Sequence, residues 1–180
     1  MLVDMADLYD EWRLMNLEAR TRFEIAKKKY FDELEPSDEG KGDESVRYDC
    51  LLVMQRTAEE VRDTDPKLFD EIGELFGSML LTDPSGFVRH EAAFQLGYLD
   101  MYKQKDALKK AAIYDNNDIV RHESVEGLGL LRYDDVGFFE WVIENDSNAG
   151  VKETAVIFVK RASRLEKANP DEVARKPTTS

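Results

Sequence analysis

The chain is sparing with the residues that do most chemistry: one cysteine and two histidines among 180 residues. A lone Cys50 excludes an intramolecular disulfide, and such cysteine usage does not point to an oxidising compartment. Within the apolar stretch Cys50-Leu51-Leu52-Val53-Met54 it reads as a small core residue, not a nucleophile. No apolar run approaches the roughly 20 residues needed to span a bilayer. Met1 to Trp12 hold four acids and no basic region, unlike a signal peptide. A cytoplasmic protein without membrane association is expected. Positive charge is also short. The 25 Lys and Arg stand against 38 Asp and Glu, a net charge of -13, which argues against a nucleic-acid partner. The basic runs Lys27-Lys28-Lys29 and Lys109-Lys110 lie among acids and read as solvated helix faces. A phosphate-cradling loop is missing as well: Gly40-Lys41-Gly42 lacks the preceding strand and the full motif.

What the chain does hold is a repeat. Taking the valine of each Val-Arg or Val-Lys pair as register gives Val46, Val88, Val120 and Val151, separated by 42, 32 and 31 residues. Five residues before the last three valines stands an aspartate, Asp83, Asp115 and Asp146, followed by small turn-forming residues suited to ending one helix and capping the next. After the valines, Ala92, Leu96 and Leu99 in one unit and Ser124, Leu128 and Leu131 in the next recur at helical spacing. A second helix is expected before each aspartate, over 68–81, 105–114 and 136–144. Each unit is then a helix pair of about 30 residues, able to bury its apolar face only by stacking. The first unit, Val46-Arg47-Tyr48-Asp49, is degenerate, and its extra length is expected in a longer connection around Thr64-Asp65-Pro66. The last, Val151-Lys152-Glu153-Thr154, has lost the histidine.

Residues 3–34 read as one long amphipathic helix. Leu8, Trp12, Met15, Ala19, Phe23, Ala26 and Tyr30 draw an apolar stripe that either caps the open end of the stack or serves dimerisation. The expected fold is all-α: a HEAT-like α-solenoid of about four helix pairs with a long N-terminal helix. Its organisation is an N-terminal helix over 1–34, an acidic loop over 35–45, repeats over 46–166 forming a single domain with that helix, and a polar, disordered tail over 167–180.

The whole imidazole supply sits at one repeated position. Val88-Arg89-His90-Glu91 and Val120-Arg121-His122-Glu123 lie 32 residues apart, each followed by Leu-Gly at the same offset. Imidazole with carboxylate is transition-metal ligand chemistry. At about 100° per residue, His and Glu fall roughly 200° and 300° from the valine, on an exposed or partly exposed face. One helix's His and Glu are poorly placed for the same ion, whereas His90 and His122 on adjacent helices ~9 Å apart can converge on one. The bland alternative is a motif copied with its repeat, its His and Glu solvated or paired with Arg89 and Arg121. Against it, Ala92-Ala93-Phe94-Gln95 has diverged from Ser124-Val125-Glu126-Gly127 while Arg-His-Glu is identical. Two His make an incomplete site, so a completing carboxylate is expected from elsewhere, a second copy of the chain being the obvious source.

At these residues the chain resembles the deoxyhypusine hydroxylase family, HEAT-repeat proteins of the phycobilisome-lyase-like class. Arg89 to Gly97 is similar to the first motif of one of that family's two halves. Val120 to Gly129 is similar to the second, with an acid before the small-Leu-Gly ending, and Val151 to Thr154 to the repeat that closes a half. The likeness runs over about 68–165, more weakly over 45–60, and omits the N-terminal helix. It implies an O2-dependent non-haem di-iron hydroxylase with His90, Glu91, His122 and Glu123 as metal residues. This chain carries two His-Glu motifs where the family has four. The resemblance therefore implies a homodimer with Fe(II)/Fe(III), two ions per dimer, His90 and His122 of one chain on each iron and Glu91 crossing from the partner, while Glu123 is a ligand or lies just behind one. The substrate, a protein or a small molecule, is not readable. Two further readings stand beside it: a non-catalytic HEAT-repeat protein-protein interaction scaffold whose acidic concave face, with Tyr48, His90 and His122, takes a basic partner, and a chromophore lyase or chaperone of the same repeat class.

Overall fold

The computed structural model describes residues 14–34 and 42–168, with side chains to residue 164. Eight α-helices lie wholly within the described residues, and those residues contain no strand: α1 (Ala19–Asp32), α2 (Glu44–Val61), α3 (Pro66–Thr82), α4 (Gly86–Tyr98), α5 (Lys105–Tyr114), α6 (Asp118–Leu130), α7 (Val136–Asn145) and α8 (Ala149–Ala168), with a 3-10 turn over Tyr102–Gln104. The fold is all-α and solenoid-like. Consecutive helices pack as pairs, α1 on α2, α3 on α4, α5 on α6 and α7 on α8. The second helices stack side by side, α2 on α4, α4 on α6 and α6 on α8, giving two layers around one core.

Local chemistry starts five of the helices where the turn residues predict. Asp43, Asp65, Ser85, Asn117 and Asp135 sit at the N-caps of α2, α3, α4, α6 and α7, and each side chain accepts a first-turn backbone N–H. Pro66 opens α3, where a missing N–H costs nothing. The repeat valines Val88, Val120 and Val151 are buried, and so are Ala92, Leu96 and Leu99 with their counterparts Ser124, Leu128 and Leu131. Ser124 is tolerated there because its hydroxyl donates to the Val120 carbonyl (2.8 Å). Cys50 is fully buried, and burial pushes its thiol up to about 12, so it is core.

Arginines that follow the repeat valines bind the repeats together. Arg47 reaches forward to Asp83 (3.0 and 3.2 Å), Arg89 to Asp115 (2.7 and 2.8 Å) and Arg121 to Asp146 (2.7 and 3.0 Å), each in a two-pronged contact. The same guanidiniums of Arg89 and Arg121 donate to the carbonyls of Asp83 and Asp115, one repeat back. Each aspartate also accepts the backbone N–H two residues on, from Ser85, Asn117 and Asn148. One arginine thus spans two successive turns, and the Val-Arg and Asp signatures prove to be the two halves of one joint.

The sequence expectation differs from the structure at two places. The helix read over 3–34 is interrupted in its described part: Leu14 and Met15 are helical, the chain turns at Asn16–Glu18, and α1 begins at Ala19. Glu18 caps the new helix by accepting the Thr21 N–H (3.3 Å), while buried Arg22 donates to the carbonyls of Met15 and Leu17 at the break. Phe23, Ala26 and Tyr30 of the predicted stripe are buried and α1 packs on α2, so α1 is the first helix of the first pair. Second, the extra length of the first unit lies in its helices, not in the connection. α2 and α3 run 18 and 17 residues against 10 for α5, and only residues 62–65 join them. The remaining part of the predicted helix (residues 1–13), most of the acidic loop (35–41) and most of the tail (169–180) lie outside the described residues, while Lys167 and Ala168 still belong to α8.

The joints set the acid limit of the fold. Burial alone would raise the Asp115 and Asp146 carboxyls, but bonds from Arg89 and Arg121 and from the following backbone N–H groups outweigh it and hold both below the ordinary range. The folded state therefore binds fewer protons than the unfolded chain, and the stabilisation is present above about pH 4 and lost as pH falls through it toward the folded values. Asp115→Ala is expected to lower the unfolding free energy in urea by about 3 kcal/mol at neutral pH, since it leaves a largely buried guanidinium unpaired. It should also flatten the acid limb of the stability–pH curve. A loss under ~1 kcal/mol would mark the joints as ordinary surface pairs.

Candidate metal centre

His90 and Glu91 stand on α4, His122 and Glu123 on α6, and glycine sets how near those helices come. A Cβ on Gly97 would lie 2.7 Å from the Gly127 Cα, and one on Gly127 3.2 Å from the Ala93 carbonyl oxygen. One on Gly129 would run into the Phe158 ring of α8. The Leu-Gly ending of each motif thus marks the point where the next helix of the layer crosses closely.

That approach joins the two motifs. His90 Nε2 lies 3.2 Å from Glu123 Oε2, and Glu123 is buried. The Glu123 contact raises the His90 proton affinity above its ordinary value; burial opposes this, and the charges of Glu123 and Glu91 add to it. His122, Glu123 and Glu126 each present a ligand atom, all within 4.8 Å of one another. Glu91 goes elsewhere: it accepts a hydrogen bond from the Gln95 amide nitrogen (2.8 Å), four residues along its own helix. Tyr48, at the histidine position of the first repeat, stacks at a tilt on Phe87 (5.0 Å between centroids). Burial raises its phenol, and the Glu91 carboxylate adds to the effect.

Several expectations change here. The face holding the motifs is partly exposed at His90, Glu91 and His122, as the helical angles imply, whereas Glu123 is buried. Neighbouring His122 and Glu123 do offer atoms to one point, because a glutamate's three torsions span the angle that separates the two Cβ directions. Arg89 and Arg121 pair with Asp115 and Asp146, and the motif acids make their contacts with His90 and Gln95 instead. Sequence reasoning passed over Glu126 as a ligand. Its signal was present: it stands four residues after His122, on the same side of the helix, where the preceding repeat has Phe94.

Two imidazoles with carboxylates suit a first-row transition metal, and two His with one carboxylate is the usual donor set of non-haem Fe(II). The residues present therefore fit iron. Comparison with known proteins gives a distant likeness. The chain is 26% identical over 117 residues to deoxyhypusine hydroxylase of Saccharomyces cerevisiae (strain ATCC 204508 / S288c), covering 64% of this chain and 36% of that protein. It thus spans about a third of its relative's length. No protein-family model matches it, and no solved structure does. Among the described residues, no helix is long and apolar enough to cross a membrane.

The His90–Glu123 contact is open to direct measurement. In metal-free protein the His90 imidazole, followed by NMR, should titrate above ~6.5, and Glu123→Gln should return it toward that value. Because the folded value is the raised one, the contact stabilises the fold fully below ~6.5, and the gain is lost as pH climbs through the folded value. An unchanged His90 titration in Glu123→Gln would remove the contact.

Proposed function

We propose that this chain is an iron-dependent, O2-using hydroxylase related to deoxyhypusine hydroxylase, with His90, His122 and Glu123 holding the metal. The observation that carries the reading is the cross-repeat contact between His90 of the first motif and Glu123 of the second. The distant likeness to a hydroxylase over 64% of the chain supports it.

Bound iron would supply the redox chemistry with O2. The chain's own part is to hold and orient. Glu123 accepts from His90 and fixes its ring, so the imidazole must give up its shared proton as it takes the metal. The joints from Arg89 and Arg121 hold α4 and α6 in register, and the glycine crossing keeps their side chains within reach of each other.

A homodimer belongs to this reading. Pairing about a twofold axis sets two such centres face to face, giving two ions per dimer, and Glu91, turned from its own cluster by Gln95, is the carboxylate each chain offers across the interface. Support comes from the apolar side chains left exposed on the two helices that carry the motifs, Phe87, Phe94, Ile119 and Leu130. The same exposed face, with a net charge of -13, also favours the second reading, a scaffold that docks a basic segment.

Elemental analysis of aerobically purified protein, with its solution mass, separates the two. The hydroxylase reading expects about one iron per chain in a dimer, with His90→Ala abolishing iron retention. Iron-free protein that stays monomeric after anaerobic Fe(II) addition would sink it. The scaffold reading expects His90→Ala to weaken partner binding only modestly.

A further inference from the structure

The two motifs share Arg-His-Glu, yet the structure gives their glutamates opposite fates. Glu91 is taken by the Gln95 amide, whereas Glu123 is released to His90 and to the cluster with His122. The cause lies four residues further on. Where α4 has Gln95, the matching place in α6 is Gly127, which has no side chain to hold a carboxylate. Gln95 is itself almost fully buried, and its amide oxygen is left without a partner. That oxygen is a standing cost, which an apolar residue of similar size would avoid. Just before these positions, Phe94 on α4 matches Glu126 on α6. One motif therefore ends in an aromatic residue and an amide that restrains its acid. The other ends in a second acid and a gap that frees its own.

We infer that Glu126 is a metal ligand and that one chain by itself binds one divalent transition-metal ion, through His122, Glu123 and Glu126 with His90 lent from α4. Glu126 and His122 lie one helical turn apart, the spacing by which a single helix presents two donors to one ion. Phe94 cannot do the same on α4, so the first motif lends only its imidazole. The dipeptides Phe94-Gln95 and Glu126-Gly127 thereby decide which copy of the motif becomes the centre. The inference deepens the reading above, since it concerns the same metal, but it does not require iron, O2 chemistry or a second chain.

The test is Co(II) binding by the full chain, followed by calorimetry and by the visible absorption of the bound ion, at dilutions where sedimentation shows a monomer and again where any dimer forms. Wild type is expected to bind one Co(II) per chain at both dilutions. Glu126→Gln should weaken binding by about 100-fold or more, beyond the roughly 10–100-fold typical of a group that only supports a ligand, and should change the absorption envelope. Glu140→Gln, at an exposed acid of α7 away from the motifs, should leave affinity and spectrum as they are. A smaller loss in Glu126→Gln, or a comparable loss in Glu140→Gln, would overturn the inference while leaving the hydroxylase reading intact. Absence of Co(II) binding in wild type at every concentration would overturn both. Glu126 is half-buried and its replacement isosteric, and a thermal melt matching wild type confirms that the variant folds.

Discussion

The forward reach of one arginine to the next repeat's aspartate is the constraint on which the molecule hangs. A helix pair of about 30 residues cannot bury its own apolar face, so neighbours must stack, but apolar stacking alone tolerates sliding and rotation. A planar guanidinium gripping both oxygens of a carboxylate tolerates neither. Arg47, Arg89 and Arg121 repeat this grip at three successive junctions. Tyr30 adds to the first by donating to Asp83 (2.9 Å), which ties α1 into the same system. Because the aspartates also hold the turns that start α4, α6 and α8, the joint fixes where those helices begin as well as how they lie.

The geometry of the His-Glu cluster follows from that registration. His90 and Glu123 belong to different helices, and their side chains meet only if α4 and α6 are correctly phased along their axes. The joints set the phase and Gly97 with Gly127 set the distance. Small residues at the crossing and charged residues at the turns are thus parts of one device. The arginine beside each histidine, which reads in sequence as a candidate partner for the motif acids, serves instead to aim the helix that carries them.

Much of this was legible in the sequence. Periodicity and the valine and aspartate registers gave the helix pairs, the turns and the buried positions, because each rests on local chemistry: apolar spacing, Asx caps, a proline at the first helical turn. What escaped depends on contacts between segments distant in sequence. The break before Ala19 hid because Glu18 is not a favoured cap and because the stabilising group, Arg22, also bonds to Thr57 on another helix. The partners of Arg89 and Arg121 hid because they lie 26 and 25 residues away. At the cluster, identical motifs drew attention to their identity, while the information that separates them lay in the diverged residues just beyond, Gln95 against Gly127 and Phe94 against Glu126.

Cys50 has a practical consequence. With its sulfur sealed in the core and its proton held far above neutrality, the chain offers maleimide and methanethiosulfonate reagents almost no native target. A cysteine introduced at an outward position such as Tyr114 or Ile157 would carry a spin label or fluorophore alone, and the separation between two such probes would report how this molecule meets a neighbour without any native thiol having to be removed first.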